Sequence, residues 1–157
     1  MEQRRIEIVN TLLSEIEAHI PNKEIRNRAV SNSDIGWQLD HSLKVFNAVS
    51  IWIADSKPED YKRNFNVRRL ILFPLCYIPR GKAKAPKIVR PPEVIKQEDL
   101  ISQLQTARTH IVKLKTLPKK AYFKHYIFGM LSKKQTLRFL EMHTKHHLKI
   151  INDILNQ

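Results

Sequence analysis

Six prolines in the middle of the chain constrain its fold more than any other feature of the sequence. They are Pro58, Pro74, Pro79, Pro86, Pro91 and Pro92. Because proline lacks a backbone N–H and clashes with the preceding helical turn, no long helix can pass through this segment. The sequence therefore predicts one pair of helices before the prolines and one pair after them, joined by a long crossover.

The first predicted pair is marked by apolar residues at alternating intervals of three and four, the spacing of one buried helix face. The first stripe consists of Ile6, Val9, Leu13, Ile16 and Ile20, and the second of Ile35, Leu39, Ser42, Phe46, Val49 and Ile53. Pro21 should end the first helix. The second should run from about Asp34 to Asp55, with Ser31 or Ser33 as its N-cap.

The second pair shows the same spacing after the prolines. The third helix should span about Pro92 to Leu117, and Pro118 stops it. The fourth begins at Ser132, which with Gln135 has the sequence of a capping box, and continues almost to residue 157. The expected fold class is all-α: a four-helix bundle with a long crossover between helices two and three, forming a single domain over residues 1–157.

The length of the apolar runs argues against a membrane protein. The longest run, Leu70–Ile78, is too short to span a bilayer and is broken by Pro74. The N-terminal residues have an amphipathic pattern unlike that of a signal peptide, so we expect a cytoplasmic protein. The single cysteine, Cys76, lies within the apolar run, where a buried and unreactive thiol is expected.

The charge balance is strongly basic, with 28 Lys and Arg against 15 Asp and Glu and a net charge of +13. No acidic residue occurs from Ile101 to Leu140, a stretch that contains nine basic ones. An alternative function is therefore a non-catalytic module whose basic surface binds nucleic acid or another acidic partner. No nucleic-acid recognition motif supports that alternative, since lysines on a solvated helix face give the same pattern.

Two histidines occupy core positions in the fourth helix. Its stripe consists of Leu140, His143, His147, Ile150 and Ile154. Residues four apart on a helix lie on the same face, one turn apart, so His143 and His147 can share a metal ion. The neighbouring His146 is turned by roughly 100° and should not take part. A histidine cluster with a merely structural role is the other interpretation.

A third metal ligand has four candidates: His19, His41, His110 and His125. His41 is favoured, because it belongs to a second stripe that flanks the apolar face of the second helix. This stripe consists of Trp37, His41, Val45, Ala48 and Trp52. The predicted site is therefore His41, His143 and His147, with a metal ion as cofactor.

These residues resemble a known family. A histidine early in the second helix, a His-x-x-x-His pair in the fourth and a long middle crossover are similar to the DinB/YfiT-like metalloenzymes over nearly the whole chain. Residues 79–86, 125–132 and 143–148 resemble an uncharacterised bacterial branch of that superfamily. The chain departs from that branch at Lys145, where an acidic residue is usual, and this change predicts a lower metal affinity.

The resemblance implies an enzyme acting on a small-molecule substrate. The family's histidine triad maps onto His41, His143 and His147, and its metal, commonly a divalent zinc or nickel ion, activates a low-molecular-weight thiol for transfer. Hydrolysis is the other reaction expected, because three histidines leave a tetrahedral ion with one open position. Relatives with this fold often pair, so a homodimer is also expected.

Four further residues are candidates for substrate binding. Arg80 and Lys82 in the crossover are placed to hold an anionic substrate. His125 and Tyr126, before the fourth helix, are candidates for a general acid or for packing of the loop. The apolar residues of the crossover are expected either to cover one end of the bundle or to form a lid or dimer contact.

Overall fold

The computed structural model describes residues 2–81 and 85–156, and within them the chain is mostly helical with one small sheet. The elements are α1 (Glu2–His19), α2 (Ile35–Ala54), α3 (Val67–Leu75), α4 (Gln97–Thr116), β1 (Tyr122–His125), β2 (Gly129–Ser132) and α5 (Lys133–Leu155). The four long helices correspond to the predicted ones. The chain is not purely α, however, because the antiparallel β1–β2 hairpin precedes α5.

The helix ends agree with the prediction in part. Ser132 and Gln135 form the expected capping box at the start of α5. The N-cap of α2 is Asp34, whose carboxylate accepts the backbone N–H of Trp37, and not either of the two serines proposed. The third predicted helix starts at Gln97 rather than near Pro92, because its buried stripe begins only at Leu100.

The four long helices pack so that each member of one sequence pair touches both members of the other. The main interfaces join α1 with α4 and α5, and α2 with α4 and α5. The two members of each sequence pair, α1 with α2 and α4 with α5, therefore lie diagonally across the bundle. At one end, the buried Lys133 ammonium donates to the carbonyls of Lys115 and Leu117 and pairs with Glu2. The starts of α1 and α5 thus lie beside the end of α4.

The apolar stripes predicted from the sequence form the core. Every residue of the apolar stripes of the first two helices is buried, and so is the stripe of the third, which consists of Leu100, Leu104, Ala107, Ile111 and Leu114. In the fourth stripe Leu140, His147, Ile150 and Ile154 are buried and His143 is half-buried. The core therefore surrounds the histidine pair of α5. No helix among residues 2–81 and 85–156 has the length and apolar character that crossing a membrane requires.

The crossover is less buried than its sequence predicts. Phe73 is the one buried residue of α3, and Leu70 and Leu75 are 63% and 67% exposed. Cys76, expected to be buried, is half-buried and ends α3 with a φ of 50°. The Arg138 guanidinium of α5 donates to the carbonyl of Phe73 and so fixes α3 on the bundle.

Two glycines with positive φ, Gly129 in the hairpin and Gly81 in the crossover, allow the crowding around the hairpin to be tested. Gly129 (φ +71°) has Asn64 so close that an added Cβ would lie 2.0 Å from its amide nitrogen, whereas Gly81 (φ +70°) has open space around it. Gly81→Ala should cost roughly 1–2 kcal/mol of unfolding free energy from backbone strain alone. Gly129→Ala should cost more, because the Asn64 amide must also move and its Oδ1 accepts a hydrogen bond from Arg69. Urea denaturation measures both, and equal losses would contradict the predicted crowding.

Candidate metal centre

The structure brings together the three histidines that the sequence singled out. His41 lies in the second turn of α2, and His143 and His147 lie one turn apart on α5. One ring nitrogen from each lies within 4.8 Å of the other two. The ring centroids are 4.6 to 5.3 Å apart. In a tetrahedral zinc shell the nitrogens would be about 3.4 Å apart, so small side-chain rotations would close the site.

Two of the three rings are held by hydrogen bonds through the nitrogen that faces away from the cluster. His41 Nδ1 lies 2.8 Å from the carbonyl oxygen of Val89, in the crossover. His147 Nδ1 lies 2.7 Å from Gln38 Oε1, and the Gln38 amide in turn donates to the hydroxyl of Ser31. Both oxygens are acceptors, so each Nδ1 carries the proton and each Nε2 is left as a metal donor. Such outer partners fix the tautomer and orientation of metal-binding histidines.

Aromatic side chains enclose the cluster on two sides. The indole of Trp37 stacks on His41 with centroids 5.0 Å apart, and the ring of Phe139 lies 5.6 Å from His143. Burial, together with repulsion from the neighbouring histidines, lowers the pKa of His143 and His147 well below the usual value. The rings are therefore neutral at pH 7, which is the form that binds metal.

His146 lies outside the ligand cluster, as the helical spacing predicts, although it lines the same cavity and its ring centroid is 5.0 Å from that of His147. His146 bonds to the backbone of Ile78, and burial and the nearby Arg80 charge lower its pKa to about 4. The ammonium of Lys145 lies 2.8 Å from a carboxylate oxygen of Glu141. Glu141 also pairs with Arg5 and Arg138, so its single negative charge is shared among three cations, and the contact holds the Lys145 ammonium against Glu141.

A cavity of about 1320 Å³ opens onto the three histidines. Its walls are mainly apolar and come from α2, α3, the crossover, the hairpin and α5. Trp37, Gln38 and Arg68 line the cavity but are not among the predicted site residues. Gln38 and Arg68 carry no local signal of function, and Trp37 belongs only to a helical stripe. The cavity depends on contacts between segments far apart in the chain, which helical spacing does not reveal.

The four predicted substrate-binding residues have different surroundings. Arg80 lines the cavity, but its guanidinium is paired with Asp153 at 2.6 Å, so its charge is already compensated. Tyr126 also lines the cavity and is 68% exposed, stacked on His125 at 4.7 Å. Lys82 lies outside the described residues. All three described residues, Arg80, His125 and Tyr126, line the cavity.

His125 has a structural role in the hairpin. Its Nδ1 accepts the backbone N–H groups of Ile127 and Phe128, at 3.0 and 3.3 Å. Burial lowers its pKa to about 4. At neutral pH it is therefore uncharged and unsuited to act as a general acid, so the geometry favours the loop-packing interpretation.

The basic stretch from residue 101 to 140 does not form one solvated face. Lys133 is buried at the end of α4, and Arg138 donates to the crossover. Arg108 pairs with Glu17 of α1 at 2.7 Å. These three side chains make contacts between elements of the protein. Binding of nucleic acid through the remaining lysines stays a prediction.

Comparison of the chain with protein-family models, with curated proteins and with solved structures gives no match. The likeness to the DinB/YfiT-like proteins therefore stays a prediction based on the residues quoted above. The geometry of the histidine cluster stands independently of it.

The depressed pKa of His125 predicts a dependence of stability on pH. The unfolded ring titrates at about 6.5, so between pH 7 and pH 5 the unfolded state binds a proton that the folded state does not. The stability that comes from burying neutral His125 is therefore complete above the unfolded pKa and is lost as the pH falls toward 4. His125→Asn keeps an acceptor for the two N–H groups but does not titrate. Between pH 7 and pH 5, in chelator, the unfolding free energy of the His125→Asn variant should fall by about 2 kcal/mol less than that of the original chain. Equal falls in the two proteins would contradict this prediction.

Proposed function

We propose that this chain is a divalent-metal-dependent enzyme that acts on a small molecule held in the cavity above His41, His143 and His147. The observation that supports it is the convergence of three neutral imidazoles, two of them oriented by hydrogen bonds, at the base of a large cavity. Structural zinc sites are closed by four protein ligands, whereas catalytic sites keep three ligands and one open position. The three-histidine set is of the second kind.

The chemistry of the donors fits zinc or nickel. Imidazole nitrogens suit both ions, and no carboxylate or thiolate joins the cluster among the described residues. When bound, a divalent cation supplies Lewis-acid chemistry and lowers the pKa of a water or thiol brought to it. The chain itself positions the three nitrogens, shields His41 beneath Trp37 and admits the substrate through the cavity.

The class of reaction follows from the resemblance to the DinB/YfiT-like proteins. We propose transfer of a low-molecular-weight thiol to an electrophilic carbon, with hydrolysis as the other reaction of the same centre. In thiol transfer the sulfur forms a bond to carbon, the leaving group departs with the electron pair of its own bond, and the thiol proton passes to solvent. The size of the cavity allows a thiol and an acceptor molecule to be bound together.

Metal binding tests the centre directly. Chelated, tag-free protein should bind close to one equivalent of Zn²⁺ or Ni²⁺ in calorimetry and elemental analysis. His41→Ala, His143→Ala and His147→Ala should each reduce binding to a small fraction, because each removes a ligand. Gln38→Leu should weaken it by roughly tenfold or more, since it removes the partner of His147 Nδ1.

The matched control is His19→Ala, which removes a half-buried histidine outside the cluster. It should bind metal like the original chain. Failure of the original chain to bind either metal, with circular dichroism showing it folded, would refute the proposal. Equal metal loss in His19→Ala and His143→Ala would mean that binding is not at this site.

Thiol transfer is tested with the zinc-loaded protein, cysteine and the electrophile chlorodinitrobenzene. The C–Cl bond breaks, chloride leaves and a thioether forms, which is measured by absorbance. The original chain should exceed the uncatalysed rate, and His143→Ala should not. A metal-binding protein with no rate above background would leave hydrolysis as the better proposal.

A further inference from the structure

The charges that line the cavity are of one sign. Among the described residues, the lining contains Arg68, Arg80 and Lys124 but neither aspartate nor glutamate. The whole chain carries a net charge of +13, which adds to the positive potential at this opening. An anionic ligand would therefore be attracted on entering, and the Asp153 carboxylate beside the cavity is neutralised by its pairing with Arg80.

Arg68 is the cation best placed to hold an acidic group. Arg80 is engaged with Asp153, whereas Arg68 has no hydrogen bond or ion pair with any described residue. It lies three and four positions before Ile71 and Leu72, which also line the cavity, so all three occupy the same face of α3. Arginine's planar guanidinium binds a carboxylate or sulfonate through two parallel hydrogen bonds.

Hydrogen bonds fix α3, the helix that carries Arg68, against the rest of the protein. The guanidinium of its neighbour Arg69 donates to the carbonyls of Phe128 and Met130 in the hairpin segment. The last turn of α3 is held by the bond from Arg138 to the Phe73 carbonyl. The position of Arg68 relative to the cavity is thus set by bonds at both ends of α3.

The body of the cavity is aromatic on one side. We call Trp52, Phe123 and Phe139 the aromatic wall. The rings of Trp52 and Phe123 are nearly parallel with centroids 5.5 Å apart, and those of Phe123 and Phe139 are 6.2 Å apart. Phe139 in turn lies beside His143. The wall therefore leads from the surface, where Trp52 is 40% exposed, to the histidine cluster.

We infer that the cavity binds an aromatic anion, with its ring system against the aromatic wall and its carboxylate or sulfonate on Arg68. Ring–ring contacts, stacked or tilted, add to simple apolar burial, which favours planar rings over aliphatic chains. This inference rests on the proposed function, because it names the substrate class of the same cavity.

The test uses two fluorescent probes of nearly the same shape. Anilinonaphthalene sulfonate is an aromatic anion, and N-phenyl-naphthylamine is its neutral counterpart. Both are titrated into the folded original chain, once in chelator and once with zinc. We expect saturable binding of the anion at one site, several times tighter than that of the neutral probe.

Variants separate the two parts of the proposed ligand site. Arg68→Gln should lower the affinity for the anionic probe by about five- to tenfold, because it removes one charge-assisted interaction. The affinity for the neutral probe should not change. Trp52→Ala should weaken both probes. Arg63→Gln removes an exposed arginine of the same segment, and Leu75→Ser removes an exposed leucine of α3. Neither residue lines the cavity, so neither change should affect binding.

Three results would overturn the inference: equal affinity for the two probes, equal effects of Arg68→Gln and Arg63→Gln, or a large effect of Leu75→Ser with none of Trp52→Ala. The last would indicate binding on the exposed face of α3. Since probe binding is measured without metal as well, its failure is distinguishable from failure of the metal centre.

Discussion

The hydrogen bond between His41 and the Val89 carbonyl is the interaction on which the arrangement of the site depends. It joins α2 to a buried residue of the crossover and leaves the other nitrogen of His41 directed at the α5 pair. A histidine without such a partner can rotate or change tautomer, and its metal affinity falls. The proline-rich crossover therefore contributes to the site through its backbone, although none of its described residues belongs to the histidine cluster.

A second hydrogen bond, between Gln38 of α2 and His147 of α5, orients another of the candidate ligands. The Gln38 carboxamide accepts the ring N–H of His147 and gives its own N–H to Ser31. Gln38 is buried, where an unpaired amide would cost on the order of 1–3 kcal/mol. Polar satisfaction of the core and orientation of the candidate ligands are thus achieved by the same bonds. This sharing explains how three histidines are accommodated among apolar side chains.

Local signals predict the four long helices and the histidine cluster. Alternating spacing identifies a buried face, the Ser132 box marks a helix start, and His143 and His147 fall within such a face. The hairpin and α3 were not located, because four-residue strands and a nine-residue helix containing Pro74 give too little periodicity. Arg68 and Gln38 owe their positions to residues far along the chain, so no local pattern could reveal them.

The separation of the candidate ligands along the chain has a consequence for biosynthesis. His41 is made in the first third of the sequence and His143 only near its end. During translation, a chain that has formed α1 and α2 holds one imidazole of the three, and two more arrive together on α5. A metal ion bound as proposed would therefore be captured only when α5 docks, and it would join remote parts of a bundle that has already formed rather than nucleate its folding.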